Sequence, residues 1–318
     1  MQMTTNQHVQ DAPLTDRPGG AALRTLVAID GSEASNSALR VAGELAAAAR
    51  ITPTLLSVWE VPPLPIRAPI ARARAEVNAR LGSEGENEGL RTVLTQAAGV
   101  LPASAEWPVH LARGYAAEAI DGAGLVERAD LLIMGLHRHD WLDRTIKLET
   151  TLEVIGRNHA SVLGVVPHLE HMPRCIVVGT DFSQASHRAA KMAARLLAPG
   201  GKLVLVYADA MFDYAAEDRE GFGVVHDEGV RAGFAKVRSG LDLPIGATVE
   251  ARNIDSTVTR ALLEVADHEV ADLIAIGRQH HSKASRALLG STATDLVREA
   301  RVSVLVTPIV PWTPQSSP

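Results

Sequence analysis

The sequence predicts an α/β protein of two repeated, doubly wound domains, each a mostly parallel five-stranded sheet flanked by helices. Three observations lead there. Short runs that are apolar throughout alternate with stretches whose apolar residues recur at helical spacing, the pattern of buried parallel strands and covering helices. The chain also repeats itself over a unit of about 140 residues. Finally, the 318 residues are 46% hydrophobic but only 3% aromatic, so the cores must be built from Ala, Val, Leu and Ile.

The elements follow in order. "RTLVAIDGSEASNSALRVAGELAAAA" from Arg24 matches "RCIVVGTDFSQASHRAAKMAARLLAP" from Arg174. Each reads as a strand, an aspartate, a small polar cluster and a helix. "TPTLLSVWEV" (52–61) matches "GKLVLVYADA" (201–210) as the second strand. The long, charged, glycine-bearing stretches 68–94 and 213–240 read as solvated helices with frayed starts, or as lids over a cleft. "ERADLLIMGLHRH" (127–139) matches "EVADLIAIGRQHH" (269–281), a fourth strand leaving through a glycine. "HASVLGVVP" (159–167) matches "RVSVLVTP" (301–308) as the last strand.

In the second half the spacing predicts strands over 174–179, 202–208, 246–252, 272–276 and 302–307. Helices are expected over 184–198, 256–268 and 291–300. The domains are therefore placed at 23–168 and 173–309, joined by "HLEHMP", with disordered tails at 1–22 and 310–318. The two last strands are apolar throughout, and pairing them would remove an exposed edge.

Several function classes are disfavoured. A net charge of −6 gives no basic face for nucleic acid. The single cysteine, Cys175, rules out an internal disulfide and sits in an apolar strand, where an inert thiol is expected. No apolar run reaches the length of a membrane span and the start lacks a signal peptide, so a cytoplasmic location without membrane contact is expected. "HRHD" (137–140) and "HH" (280–281) make a poor metal site, since neighbouring His on one loop rarely suffice. Trp59, Trp107 and Trp141 read as packing residues.

In doubly wound sheets ligands sit beyond the carboxyl ends of the strands, where the strand order reverses. Asp30 and Asp181 stand at that end of each first strand, and the loops after Gly135 and Gly277 leave the fourth strand at the same edge. The second loop ends in Gly290-Ser291-Thr292 ahead of a helix. Glycine tolerates positive φ and close backbone approach, and N–H groups at a helix start attract anions. Over 277–292 the charges are Arg278, Lys283 and Arg286 without an acid. Over 135–150, Arg138, Arg144 and Lys147 are balanced by Asp140, Asp143 and Glu149, and the position matching Gly-Ser holds Leu148-Glu149. A turn residue after a strand and a helix cap would also account for Asp181 and Gly290-Ser291.

Both halves resemble the universal stress protein family, and the whole is similar to its tandem two-domain members, with their adenine nucleotide alpha hydrolase-like fold. The family's nucleotide-binding branch carries Gly, two residues, Gly, nine residues, then Gly-Ser or Gly-Thr. Gly277, His280 and Gly290-Ser291 stand at that spacing, with His280 in place of the middle glycine. The resemblance implies that Asp181 holds the adenosine end and that the backbone of Val206 faces the adenine. It implies a stress-response sensor or adaptor binding ATP, or ADP or AMP, chiefly in the second domain, with no metal beyond the magnesium that accompanies the nucleotide. The first domain is degenerate at its loop. A homodimer and an unidentified protein partner fit the same reading, as does weak ATPase activity at most. The alternatives are a tandem interaction scaffold without nucleotide and an enzyme on the same fold, such as a slow ATP hydrolase or an adenylating ligase. The latter lacks a glycine-rich phosphate loop after its first strand.

Overall fold

A computed structural model describes residues 21–60, 83–136, 143–209, 219–278 and 290–309. The expected tails apart from residues 21 and 22, the His-bearing stretches 137–140 and 280–281, Trp141, Lys283 and Arg286 lie outside these residues, as does the first part of each long charged stretch.

The first half runs β1 (Leu23–Ala28), α1 (Glu33–Ala47), β2 (Ile51–Glu60), α2 (Ser83–Val100), β3 (Val109–Gly114), α3 (Ala116–Val126), β4 (Leu131–Gly135), α4 (Asp143–Arg157) and β5 (Ser161–Val165). The second runs β6 (Cys175–Gly179), α5 (Gln184–Leu196), β7 (Lys202–Ala208), α6 (Arg219–Ser239), β8 (Thr248–Ile254), α7 (Val258–His268), β9 (Leu273–Arg278), α8 (Ser291–Glu299) and β10 (Ser303–Pro308). The strand expected at 246–252 starts two positions late because Gly246, at φ 75°, still belongs to the preceding turn.

The strands form one ten-stranded sheet in the order β3-β2-β1-β4-β5-β10-β9-β6-β7-β8. Pairing is parallel within each half and antiparallel between β5 and β10. Leu305 pairs with Leu163, its own counterpart in the repeat, flanked by Val304 with Gly164 and Val306 with Val162. That register is what a local two-fold relation between the halves requires. Ser161 Oγ donates to Thr307 Oγ1 at 3.3 Å, and the Val166 N–H donates to Ser303 Oγ at 3.3 Å across the same seam. Central strands β4, β5 and β10 are buried along their whole length, as helix-covered parallel strands must be. The edge strand β3 alternates between outer and inner faces, and β8 does so with one break at Glu250-Ala251.

Two repeated devices hold each half. The aspartate ahead of the fourth strand fastens the start of the first: Asp130 accepts from the Arg24 N–H at 3.0 Å, and Asp272 accepts from the Arg174 and Cys175 N–H groups at 2.7 and 3.1 Å. A glycine at the end of the fourth strand lets the first helix sit against it. A Cβ at Gly135 would lie 2.5 Å from the Ala34 carbonyl carbon, and one at Gly277 would lie 2.4 Å from that of Ala185.

Cys175 is half-buried at the opposite, amino end of the strands. Burial, then Glu269, pushes its thiol up to about 11, so it stays protonated and unreactive at neutral pH.

Candidate functional site

The first helix of each half starts in the same way. The Ser32 N–H donates to Asp30 Oδ1 at 3.0 Å, and the Ser183 N–H donates to Asp181 Oδ1 at 3.0 Å. Ser32 Oγ then accepts from the Ser35 N–H and Ser183 Oγ from the Ser186 N–H, capping α1 and α5. The turn-forming role open to both aspartates is therefore filled. Burial opposes ionisation of Asp181, but donation from Ser183 and Ser186 outweighs it and holds the carboxyl below its usual range. At neutral pH it is a carboxylate that can accept from hydroxyls.

Next to each aspartate the chain takes positive φ. The first half uses Gly31 at φ 77°; the second uses Phe182 at φ 59°. A bulky residue in that region is strained and needs its surroundings to hold it. Phe182 stacks on Tyr207 with ring centroids 5.0 Å apart and meets Phe234 edge-on at 5.2 Å. Gly233 makes room, since a Cβ there would come within 2.7 Å of the Phe182 ring. This aromatic clamp fixes the Asp181 turn between β7 and α6. The repeat comparison already displays it, as Phe182 against Gly31, although only the structure brings Tyr207 and Phe234 to it.

Between that turn and the start of α8 lies a cleft of about 490 Å³, within the range of small-molecule sites. It opens where the strand order reverses between β6 and β9. Asp181, Val206, Gly277, Gly290, Ser291 and Thr292 all line it. His280 lies outside the described residues. Thr180, Ser183, Ser186, Ala208, Val258, Leu262 and Ile276 also line the cleft and were not singled out from the sequence. Thr180 takes the place of Ile29, one residue before the aspartate, so its polar side chain was legible in "VVGTD" against "VAID". It accepts from the Phe182 N–H at 3.1 Å and donates to Ser186 Oγ at 3.2 Å. Leu262 and Ile276 read as core residues by spacing, so no sequence signal separates them.

Four details differ from expectation. Gly290 has φ −60°, not a positive value, and a Cβ there would meet nothing within 4 Å among the described residues. It is the N-cap of α8 and offers no side-chain acceptor to the first-turn N–H groups, in contrast to Ser32 and Ser183. Gly277 borders the cleft, but the space its hydrogen leaves is taken by the backbone of α5, as at Gly135. Val206 is buried and its carbonyl already accepts from the Thr180 N–H at 2.8 Å. Arg278 is buried and its guanidinium is turned to the first domain, donating to the carbonyls of Ile155, Gly156 and Asn158.

In the first half the corresponding places are occupied. Helix α4 begins at Asp143, so the positions matching Gly290-Ser291 lie inside a helix whose amides bond within it. Glu149 does not face a loop; it is exposed on α4, 3.4 Å from Arg298 of α8. The Asp30 turn is covered by α2, whose Gln96 Nε2 donates to the Gly31 carbonyl at 2.6 Å.

Among the described residues no group of His, Cys, Asp and Glu is arranged to hold a metal ion. No described helix is long and apolar enough to cross a membrane.

Comparison with known proteins agrees with this architecture. The model of the universal stress protein family matches twice, over residues 23–165 and 172–308. The universal stress protein Rv1636 of Mycobacterium tuberculosis is 31% identical over 147 residues, spanning 42% of this chain and 94% of that protein. A crystal structure of a universal stress protein from Archaeoglobus fulgidus matches 90% of this chain and 96% of its own at 20% identity, with a TM-score of 0.58. A functionally unknown protein from Pseudomonas aeruginosa matches 91% of this chain and 94% of its own at 16% identity, with a TM-score of 0.55. With its two copies of one domain, an aspartate turn in each and an antiparallel strand pair joining them, the chain belongs to the universal stress protein family.

Proposed function

We propose that this stress protein, divided into domains at 23–168 and 173–309, binds one adenine nucleotide, ATP, in its second domain and acts as a cytoplasmic sensor or adaptor. The observation that carries the reading is one cleft with two unlike ends. At one end stands an ionised Asp181, suited to accept from ribose hydroxyls. At the other, α8 begins at Gly290 without a side-chain cap, so its amides and dipole suit a phosphate. The apolar wall between them, from Val206, Ala208 and Ile276, suits the flat face of a base. Magnesium would arrive with the nucleotide.

Replacing Gly290 with valine tests the phosphate end. Its φ of −60° and ψ of 152° suit valine, and among the described residues its Cβ would meet nothing within 4 Å, so ligand-free stability should fall by no more than about 1 kcal/mol, the cost of a poorer N-cap residue. A branched side chain at the helix start would obstruct phosphate. Calorimetric ATP affinity should fall by at least about tenfold, with adenosine affected much less. Unchanged ATP binding by Gly290→Val would sink the phosphate assignment.

A further inference from the structure

Arg278 is the last residue of β9, next to the cleft-lining Gly277, and is only 5% exposed. Its Nη1 donates to the Ile155 carbonyl at 2.7 Å and to that of Gly156, and its Nη2 donates to the Asn158 carbonyl at 2.9 Å. Those carbonyls close α4 of the first domain, where a helix leaves its last acceptors without internal partners and its dipole favours a cation. Among the described residues, Arg278 Nε is buried without a hydrogen-bond partner. No ion pair to Arg278 is seen among the described residues. Burial lowers its guanidinium to about 10, with Asp121 opposing from the first domain. The contact runs one way, because the first-half counterpart of Arg278 is Leu136, an apolar core residue.

A buried cation held by neutral carbonyls keeps most of its field, and Arg278 borders the cleft. We propose that Arg278 couples the cleft to the first domain: an anion in the cleft and the seating of the α4 end on Arg278 stabilise each other. The inference rests on the nucleotide reading above. Its chemistry is direct. A phosphate near the start of α8 favours a cation held in place at the cleft wall, which keeps the guanidinium on its bonds to Ile155, Gly156 and Asn158. By reciprocity, a well-seated α4 holds the cation where it assists the anion. The first domain, whose own loop is overrun by α4, thereby serves as the element that senses occupancy of the second.

The test uses the full chain with ATP as the probe and hydrogen exchange as the readout. The Asn158 N–H donates to Val154 and the Ala160 N–H to Asn158 Oδ1, so both amides report on the α4 end. Saturating ATP should slow their exchange at least about threefold in the wild type and leave it unchanged in Arg278→Met. ATP affinity of that variant should fall about fivefold or more. Arg278→Lys, which keeps the charge and some donors, should lie between. Arg298→Ala, which removes the exposed ion pair with Glu149 at the same junction, should alter neither readout. ATP binding without a response at Asn158 and Ala160, or equal affinity in wild type and Arg278→Met, overturns the coupling alone. Absence of ATP binding to the wild type overturns the coupling and the nucleotide reading together. Should Arg278→Met fail to fold, the wild-type exchange response and Arg278→Lys decide the matter.

Discussion

The exits from β4 and β9 begin alike and end differently. Gly135 and Gly277 both lie against the first helix of their half, at distances no Cβ tolerates. Beyond them α4 starts at Asp143, so Glu149 lies within the helix, whereas its counterpart Ser291 opens α8 behind an uncapped Gly290. Duplication has kept the strand-edge architecture, because packing enforces it in both copies. The cleft's phosphate end depends on where one helix begins, which packing leaves free to drift.

The largest expected effect probes what the halves share. Gly135→Val and Gly277→Val should each cost about 3 kcal/mol or more, since the clash is with backbone that cannot step aside. Denaturant unfolding checks this. A variant at Gly277 that loses ligand but keeps full stability would show that its glycine serves the cleft and not the helix contact.

A smaller effect separates the two amino-terminal edges. Glu269 accepts from Lys202 Nζ at 2.7 Å and from Arg252, while its counterpart Glu127 meets only His110, at 2.8 Å, among the described pairs. Glu269→Gln should therefore cost about 2 kcal/mol at neutral pH, and Glu127→Gln well under 1 kcal/mol. The hydrogen bond from Lys202 holds the Glu269 carboxyl at about 2, below its ordinary 4.5, although burial opposes this. A depressed carboxylate contributes stability above its unfolded value. The gap between wild type and Glu269→Gln should thus be full above about pH 4.5 and close as pH falls towards 2. A gap that stays constant across that window would mean the carboxylate is not the source.

The smallest effect concerns the turns. Gly31→Ala places a Cβ at φ 77° and 2.9 Å from Gln96 Oε1, the far end of a flexible side chain, and should cost about 1 kcal/mol by thermal unfolding. No cost would mean that the first turn relaxes to a different shape, without the geometry Phe182 is clamped into.

Most of the fold was legible because it rests on local signals repeated twice. The aspartates of "DGSEAS" and "DFSQAS" read as turn residues after a strand, and both make that turn. The pairing of β5 with β10 followed from two apolar strands that each needed a neighbour. Side-chain direction was not legible. Arg278 counted as loop charge in the sequence, yet it is buried against α4, because nothing in a linear string tells which domain a guanidinium faces. Glu149 misled for the opposite reason: spacing counted from Gly135 put it at a loop end, whereas α4 had begun at Asp143. Likewise, the positive φ sought at Gly290 is found instead at Phe182, where stacking on Tyr207 and Phe234 holds it. Residues far apart in sequence carry that clamp, and propensity alone argues against it.

One measurement bears most directly on the contrast between the halves: the stoichiometry of ATP binding to the full chain by calorimetric titration. One ATP per chain, abolished or weakened by Gly290→Val and untouched by Glu149→Ser, is the expected result. Two equivalent sites per chain would contradict it, because the first half would then bind phosphate without the free helix start on which the whole reading depends.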